Sequence, residues 1–138
     1  AEQMNLPVIL HAVKASGLVL DALRNGPKLK SGGVWHGYTG SVEVAKEIEQ
    51  LGFYISFGGQ VSYPNSKKCR RSARAIRADR LLIESDSPDH PPLGWTYPQS
   101  EPAAIRKTIQ EIAELRGEAV ETLMKQTFEN ALRLFKIR

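Results

Sequence analysis

Three acidic side chains fall within the stretch RLLIESDSPDHPP: Glu84, Asp86 and Asp89. They follow directly on the apolar run Leu81, Leu82 and Ile83. Carboxylates in that place either end a strand in a polar loop or supply charge to a site at its carboxyl end. Two histidines stand in similar positions. His11 closes the apolar run PVILH, and His36 lies in GVWHGYTG. Neutral imidazoles and a carboxylate form a donor set suited to a divalent cation. A cation there would make a bound water acidic enough to attack as hydroxide near neutral pH. Taken singly, each residue has a plainer reading. A histidine at a strand end is usually a hydrogen-bonded structural residue, and Asp86 alone reads as a loop or cap residue. His90, in a Pro-rich loop, reads as exposed, and Asp89 belongs to the loop.

These residues are far apart in sequence, so the intervening elements must bring them together. The chain alternates. Pro7 to Leu10 reads as a first strand, Gly33 to Tyr38 as a second, Gly52 to Gly59 as a third and Arg80 to Ser85 as a fourth. Ser16 to Arg24 reads as a short helix with Ser16 at its cap and Asn25-Gly26-Pro27 as its stop. Ser41 caps the next helix, in which Val44, Ile48 and Leu51 keep one face apolar. Asn65 to Ala78 reads as a basic helix. Glu101 to Arg116 is longer, with Ser100 as cap, Pro102 in the first turn and Gly117 as its stop. A last helix covers Glu118 to Phe135. Strands alternating with helices imply right-handed crossovers and a parallel sheet of the α/β class. Near-continuous apolar strands fit a sheet covered on both faces. Four such units suit a small doubly wound sheet or half of an eight-stranded barrel. Either way, ligands bind beyond the carboxyl ends of the strands, where His11, His36 and Asp86 lie.

The 138 residues suffice for one ordinary domain, and 41% hydrophobic with 25% charged residues is a globular balance. No apolar run approaches the roughly 20 residues of a membrane span, so no membrane partner is expected. The chain opens on Ala1 with no cleavable signal pattern, in keeping with a processed or excised piece. A single cysteine, Cys69, fits a reducing compartment. The net charge of +4 suits an anionic partner. Seven basic residues lie between Lys67 and Arg80. They could attract phosphates, but the simpler reading is a solvated outer helix away from the strand ends. The FGG turn at Phe57 to Gly59 suits close backbone approach to a phosphate or merely a tight turn.

The segments PVILH, GVWHGYTGSVEVAKEIEQLGFYISFGGQV, RLLIESDSP, EPAAIRKTIQEIAELRG and TFENALRLF resemble, in order and over nearly the whole chain, the TatD family of metal-dependent deoxyribonucleases. The resemblance implies the last four strands and helices of a TIM-barrel (β/α)8 metal-dependent hydrolase fold, with residues 1–138 as a single partial domain. It implies DNA as substrate and a divalent cation, Mg, Mn or Zn, with two metals in a complete enzyme. By motif, His11 and His36 match two metal-ligating histidines, and Asp86 matches the last-strand aspartate, a ligand that also serves as the catalytic residue. Glu84 matches the acidic residue of the family's Glu-Thr-Asp-Ala-Pro motif and is expected to support a ligand or substrate group. HAVK lacks an arginine found soon after the matching histidine in many members, and Lys14 is expected to supply that charge. Tyr38, near His36, is expected to support the site or to stack on a base of the substrate, while Trp35 reads as packing.

The family's His-x-His pair and middle-strand glutamate have no counterpart in this chain. Two rivals follow. One is an amidohydrolase-type enzyme acting on a C–N or ester bond. The other is a catalytically incomplete fragment that acts only by assembly. Open sheet edges would favour self-association. A cytoplasmic location is expected, with nuclear or organellar as alternatives.

Overall fold

The computed structural model describes residues 1–96 and 99–137. Four short parallel strands form one sheet in the order β1-β2-β3-β4: β1 Val8–Leu10, β2 Gly33–Trp35, β3 Tyr54–Phe57 and β4 Leu81–Ile83. Helices follow the strands: α1 Ser16–Asn25, α2 Val42–Gln50, α3 Lys67–Ala75, α4 Ile105–Arg116 and α5 Val120–Phe135. Every connection between neighbouring strands is therefore a crossover through a helix, as parallel pairing demands.

The strands are β-branched and aromatic, and one face of the sheet carries most of the core. Trp35, Ile55, Phe57 and Leu81 pack there against Leu20, Ala45, Ile48, Ile109, Ile112 and Leu123 from the helices. Ser41 caps α2 as its sequence suggests, its hydroxyl accepting the Val44 N–H. Gly117, at φ 67, ends α4 in the left-handed conformation expected of a glycine stop.

Two caps differ from the sequence reading. Ser16 is the first residue of α1 and Ala15 its cap. Ser100 does not cap the fourth helix: its hydroxyl donates to the Ser85 carbonyl, and a 3-10 turn, Pro102–Ala104, leads into α4. A cap works only through its own helix's first N–H groups, and Ser100 instead pins the loop that follows β4.

Two polar side chains fix the ends of elements. Asn130 of α5 donates from its amide to the carbonyls of Ala78 and Leu81, tying that helix to the start of β4. Arg116 donates to the carbonyls of Ala73 and Ile76 at the end of α3, where a cation also complements the helix dipole. Among the described residues no helix is long and apolar enough to cross a membrane.

Candidate metal centre at the strand ends

His11, His36, Glu84 and Asp86 all lie just past the carboxyl ends of their strands, and the parallel register gathers them. Leu10 pairs with Trp35 and Phe57 with Ile83, so the positions immediately after these residues fall on one rim. The rings of His11 and His36 stack with centroids 5.2 Å apart and planes 22° from parallel. His36 Nε2 lies 3.2 Å from Asp86 Oδ1. The shared rim expected of these residues is present.

Glu84 organises the centre. One of its oxygens lies 2.8 Å from His36 Nδ1, and the other accepts the Gly37 N–H at 2.8 Å. With Nδ1 donating to Glu84, His36 presents Nε2 as a lone pair toward the pocket, facing the Asp86 carboxylate. Two acceptors at that distance call for a proton or a cation between them. A carboxylate that orients the far nitrogen of a metal-ligating histidine is a recurrent arrangement. The donor chemistry therefore fits a divalent cation. The shell is open, however: among the described residues no group of three or more His, Cys, Asp or Glu side chains is placed to hold a metal ion by itself.

The pocket above these residues has a volume of about 520 Å³, and Lys14, Thr39, Gln60 and His90 complete its wall. Three of its non-glycine residues have left-handed backbone: Lys14 at φ 54, Asp86 at φ 52 and His90 at φ 49. Such conformations cost roughly 1–3 kcal/mol each and cluster where a site must be shaped. Aspartate tolerates the conformation best of the three. His90 is exposed, with Nε2 4.0 Å from Asp86 Oδ2. The N–H of Asp89 donates to the Asp86 carbonyl, so Asp89 belongs to the turn below the site, as its sequence context suggests.

Tyr38 requires a correction. Its side chain is only 2% exposed, wedged edge-on against both Trp35 and Phe57, and its hydroxyl donates to the Ser41 carbonyl at 2.6 Å. Burial holds the phenol above its usual range, with the Glu43 charge acting in the same direction. No ring face is left for a substrate to stack on, and the residue instead braces the loop that carries His36.

The FGG turn also resolves in favour of packing. A Cβ at Gly59 would lie 2.2 Å from the His90 carbonyl oxygen, so this glycine admits the backbone of the loop after β4. Gln60 and the Gly37 N–H escaped the sequence reading. Gln60 left a faint signal, as a polar residue just past an apolar strand. A backbone N–H leaves none.

The whole arrangement can now be set beside known proteins. A family model described as TatD related DNase matches residues 1–136. The chain belongs to the TatD family. TatD-family relatives agree along its length. The uncharacterized metal-dependent hydrolase YabD of Bacillus subtilis is 39% identical over 137 residues, covering 99% of this chain and 54% of its own. YcfH of Escherichia coli, also named an uncharacterized metal-dependent hydrolase, is 40% identical over 135 residues, 98% of this chain and 51% of its own. The crystal structure of the TatD homologue YjjV from Escherichia coli superposes with a TM-score of 0.91 at 30% identity, over 100% of this chain and 53% of that one. The four βα units are thus those of a TatD TIM-barrel fold. This TatD chain spans about half the length of the relatives it matches.

Proposed function

We propose that the protein, as part of a complete TatD barrel, hydrolyses phosphodiester bonds in DNA with the aid of divalent metal. The observation that carries this reading is the run of contacts from Glu84 through His36 to Asp86, which aims an imidazole lone pair and a carboxylate at one point of an open pocket. Together with ligands from the rest of a complete barrel, His11, His36 and Asp86 would hold the cation, Mg, Mn or Zn, and a complete shell would take two. The bound cation supplies Lewis acidity that makes water a nucleophile near neutral pH.

The chain's own residues do the rest. Glu84 fixes the His36 ring through Nδ1 and shares its other oxygen with the Gly37 N–H. Asp86 accepts the proton of the attacking water at a carboxylate oxygen. Lys14, on the pocket wall, attracts the phosphodiester anion.

The test is on the complete protein. Asp86→Asn keeps the shape but removes charge and proton acceptance, so DNA hydrolysis should fall at least ~100-fold. Glu84→Gln should weaken metal affinity by roughly 10- to 100-fold, with much of the activity returning at high metal concentration. Asp86→Asn activity within a few-fold of the parent removes Asp86 from the mechanism. A complete protein that leaves DNA intact but hydrolyses esters or C–N bonds would replace this reading with the amidohydrolase one. For the 138-residue chain alone, we expect negligible hydrolysis of single- or double-stranded DNA with Mg, Mn or Zn. Chelator-sensitive cleavage by the monomeric chain, abolished by His36→Ala, would show that this half suffices.

A further inference from the structure

The basic helix α3 does not simply ring the outside of the fold. Its first turns are stitched to the loop that follows β2 and carries His36. Cys69 Sγ lies 3.4 Å from the Tyr38 carbonyl, and the Ser72 hydroxyl donates to the Gly40 carbonyl at 3.0 Å. Cys69 and Ser72 are buried, so this contact is fixed by packing as well as by hydrogen bonds. A second cavity of about 450 Å³ opens beside the seam, lined by Thr39, Asn65, Lys67, Lys68 and Arg71. Thr39 is shared: it also lines the pocket that holds His11, His36 and Asp86. The two hollows are therefore neighbours on one rim, one built around the candidate metal ligands and the other edged with three cations.

The charges of this second hollow are free to meet an anion. Lys67, Lys68 and Arg71 are exposed, and among the described residues none of them forms an ion pair. Arg70, on the same helix, is used differently: it donates to the Val61 carbonyl and reaches Glu111 at 3.7 Å. Glu43 feels Arg71 only weakly: its carboxyl is held low first by its own backbone N–H, then by the Ser41 hydroxyl, and only after these by the Arg71 charge. Helix geometry makes the placement systematic. Cys69 and Ser72, three apart, face the His36 loop, and Lys68 and Arg71, also three apart, form the adjacent stripe.

We infer that Lys67, Lys68 and Arg71 form a subsite for backbone phosphates of a nucleic-acid strand, flanking the phosphate that sits at His36 and Asp86. The inference rests on the phosphodiester reading above and deepens it: the substrate is a strand of several nucleotides, not an isolated phosphate ester. Side chains that contact phosphates alone give binding that is sequence-independent and steeply salt-dependent.

Binding is measured on the full chain with chelator present, so that no cleavage step enters. The probe is a fluorescently labelled single strand of about ten nucleotides, a length within the range of single-strand binding sites. The triple variant Lys67→Gln, Lys68→Gln and Arg71→Gln should weaken binding at low salt by at least ~10-fold. It should also reduce the slope of log affinity against log salt by about 2, from roughly 0.7 per phosphate released. A control triple, Lys28→Gln, Lys30→Gln and Lys125→Gln, removes equal charge away from the rim and should leave the slope nearly unchanged. Affinity should rise from a dinucleotide to the longer strand, and inorganic phosphate should compete weakly.

An equal loss in both triples, an unchanged slope in the rim triple or a parent chain that binds no strand overturns the inference. Inorganic phosphate binding as well as the strand, through the same three residues, assigns the hollow to a small anion and also overturns it. Loss of strand binding in the rim triple, alongside a complete protein that cleaves no DNA, supports the subsite and counts only against the hydrolytic reading.

Discussion

The two faces of the sheet are built from the same kinds of residue but finished differently. On one face Ile55 and Phe57 are fully buried beneath the helices, and Leu81 beside them is equally enclosed. On the other, Val34, Tyr54 and Leu82 are covered by Leu134 and Ala131 near the end of α5. Ile9 pairs with Val34 across the β1–β2 ladder, so it points to that second face, yet it is 63% exposed. Phe128 and Met124 of α5 are exposed beside a groove of about 260 Å³ on α4, α5 and β4. The contrast teaches that burial, not residue type, separates the two faces. The first is a finished core. The second is closed over Val34, Tyr54 and Leu82 but left open at Ile9.

Truncation should separate the faces most strongly. Phe57→Ala on the covered face should cost about 3–5 kcal/mol, from lost transfer energy and the cavity left behind. Ile9→Ala on the open face should cost no more than about 0.5 kcal/mol, as at other exposed sites. Urea midpoints of the two variants, at unchanged slope, decide the matter. Similar losses would mean that Ile9 is covered in solution.

A second contrast concerns association. We propose that the isolated chain self-associates, because β1 and β4 stand at the ends of the sheet order and the open face is apolar. Ile9→Lys should shift the sedimentation profile toward monomer, while a charge of the same sign at exposed Glu121 on α5 should not. A parent chain that sediments as a monomer across the accessible concentration range would end the idea.

The smallest effect probes the seam behind the covered face. Burial pushes the Cys69 thiol up to about 12, against the opposing pull of Arg70. Because the shift is upward, the unreactive thiol form prevails at every pH below that value. Iodoacetamide at pH 8 should label Cys69 slowly in the folded chain and at the ordinary thiol rate in urea. Rapid labelling without denaturant would show that α3 lifts from the His36 loop.

Much of this architecture can be read directly from residues. The apolar runs around Ile9, Val34, Ile55 and Leu82 alternate with helices that begin at Ser41 or stop at Gly117, and that alternation already implies parallel pairing. Parallel pairing in turn places His11, His36 and Asp86 on one rim. Other local signals were overridden. Ser100 looks like a cap because serine before Glu-Pro usually is one, but its hydroxyl was claimed by Ser85, a partner 15 positions away. Tyr38 looks like a substrate contact because it stands beside His36, but its ring turns into the core. Tyr38 lies beyond the end of β2, where the backbone turns at Gly37 with φ 60, and only packing shows which environment each residue of that loop receives.

By itself, the sequence determined the class of fold, the family and the chemical types gathered at the strand ends, because these follow from short-range periodicity and from motif. Tertiary structure alone decided which nitrogen of His36 faces the pocket, through the Glu84 contact 48 positions away. It also decided that the basic start of α3 meets the rim, through Cys69 and Ser72 holding the carbonyls of Tyr38 and Gly40. Both depend on distances between residues remote in the chain. Hydrogen bonds act within about 3 Å, and only the folded packing of helix against loop brings such partners that close.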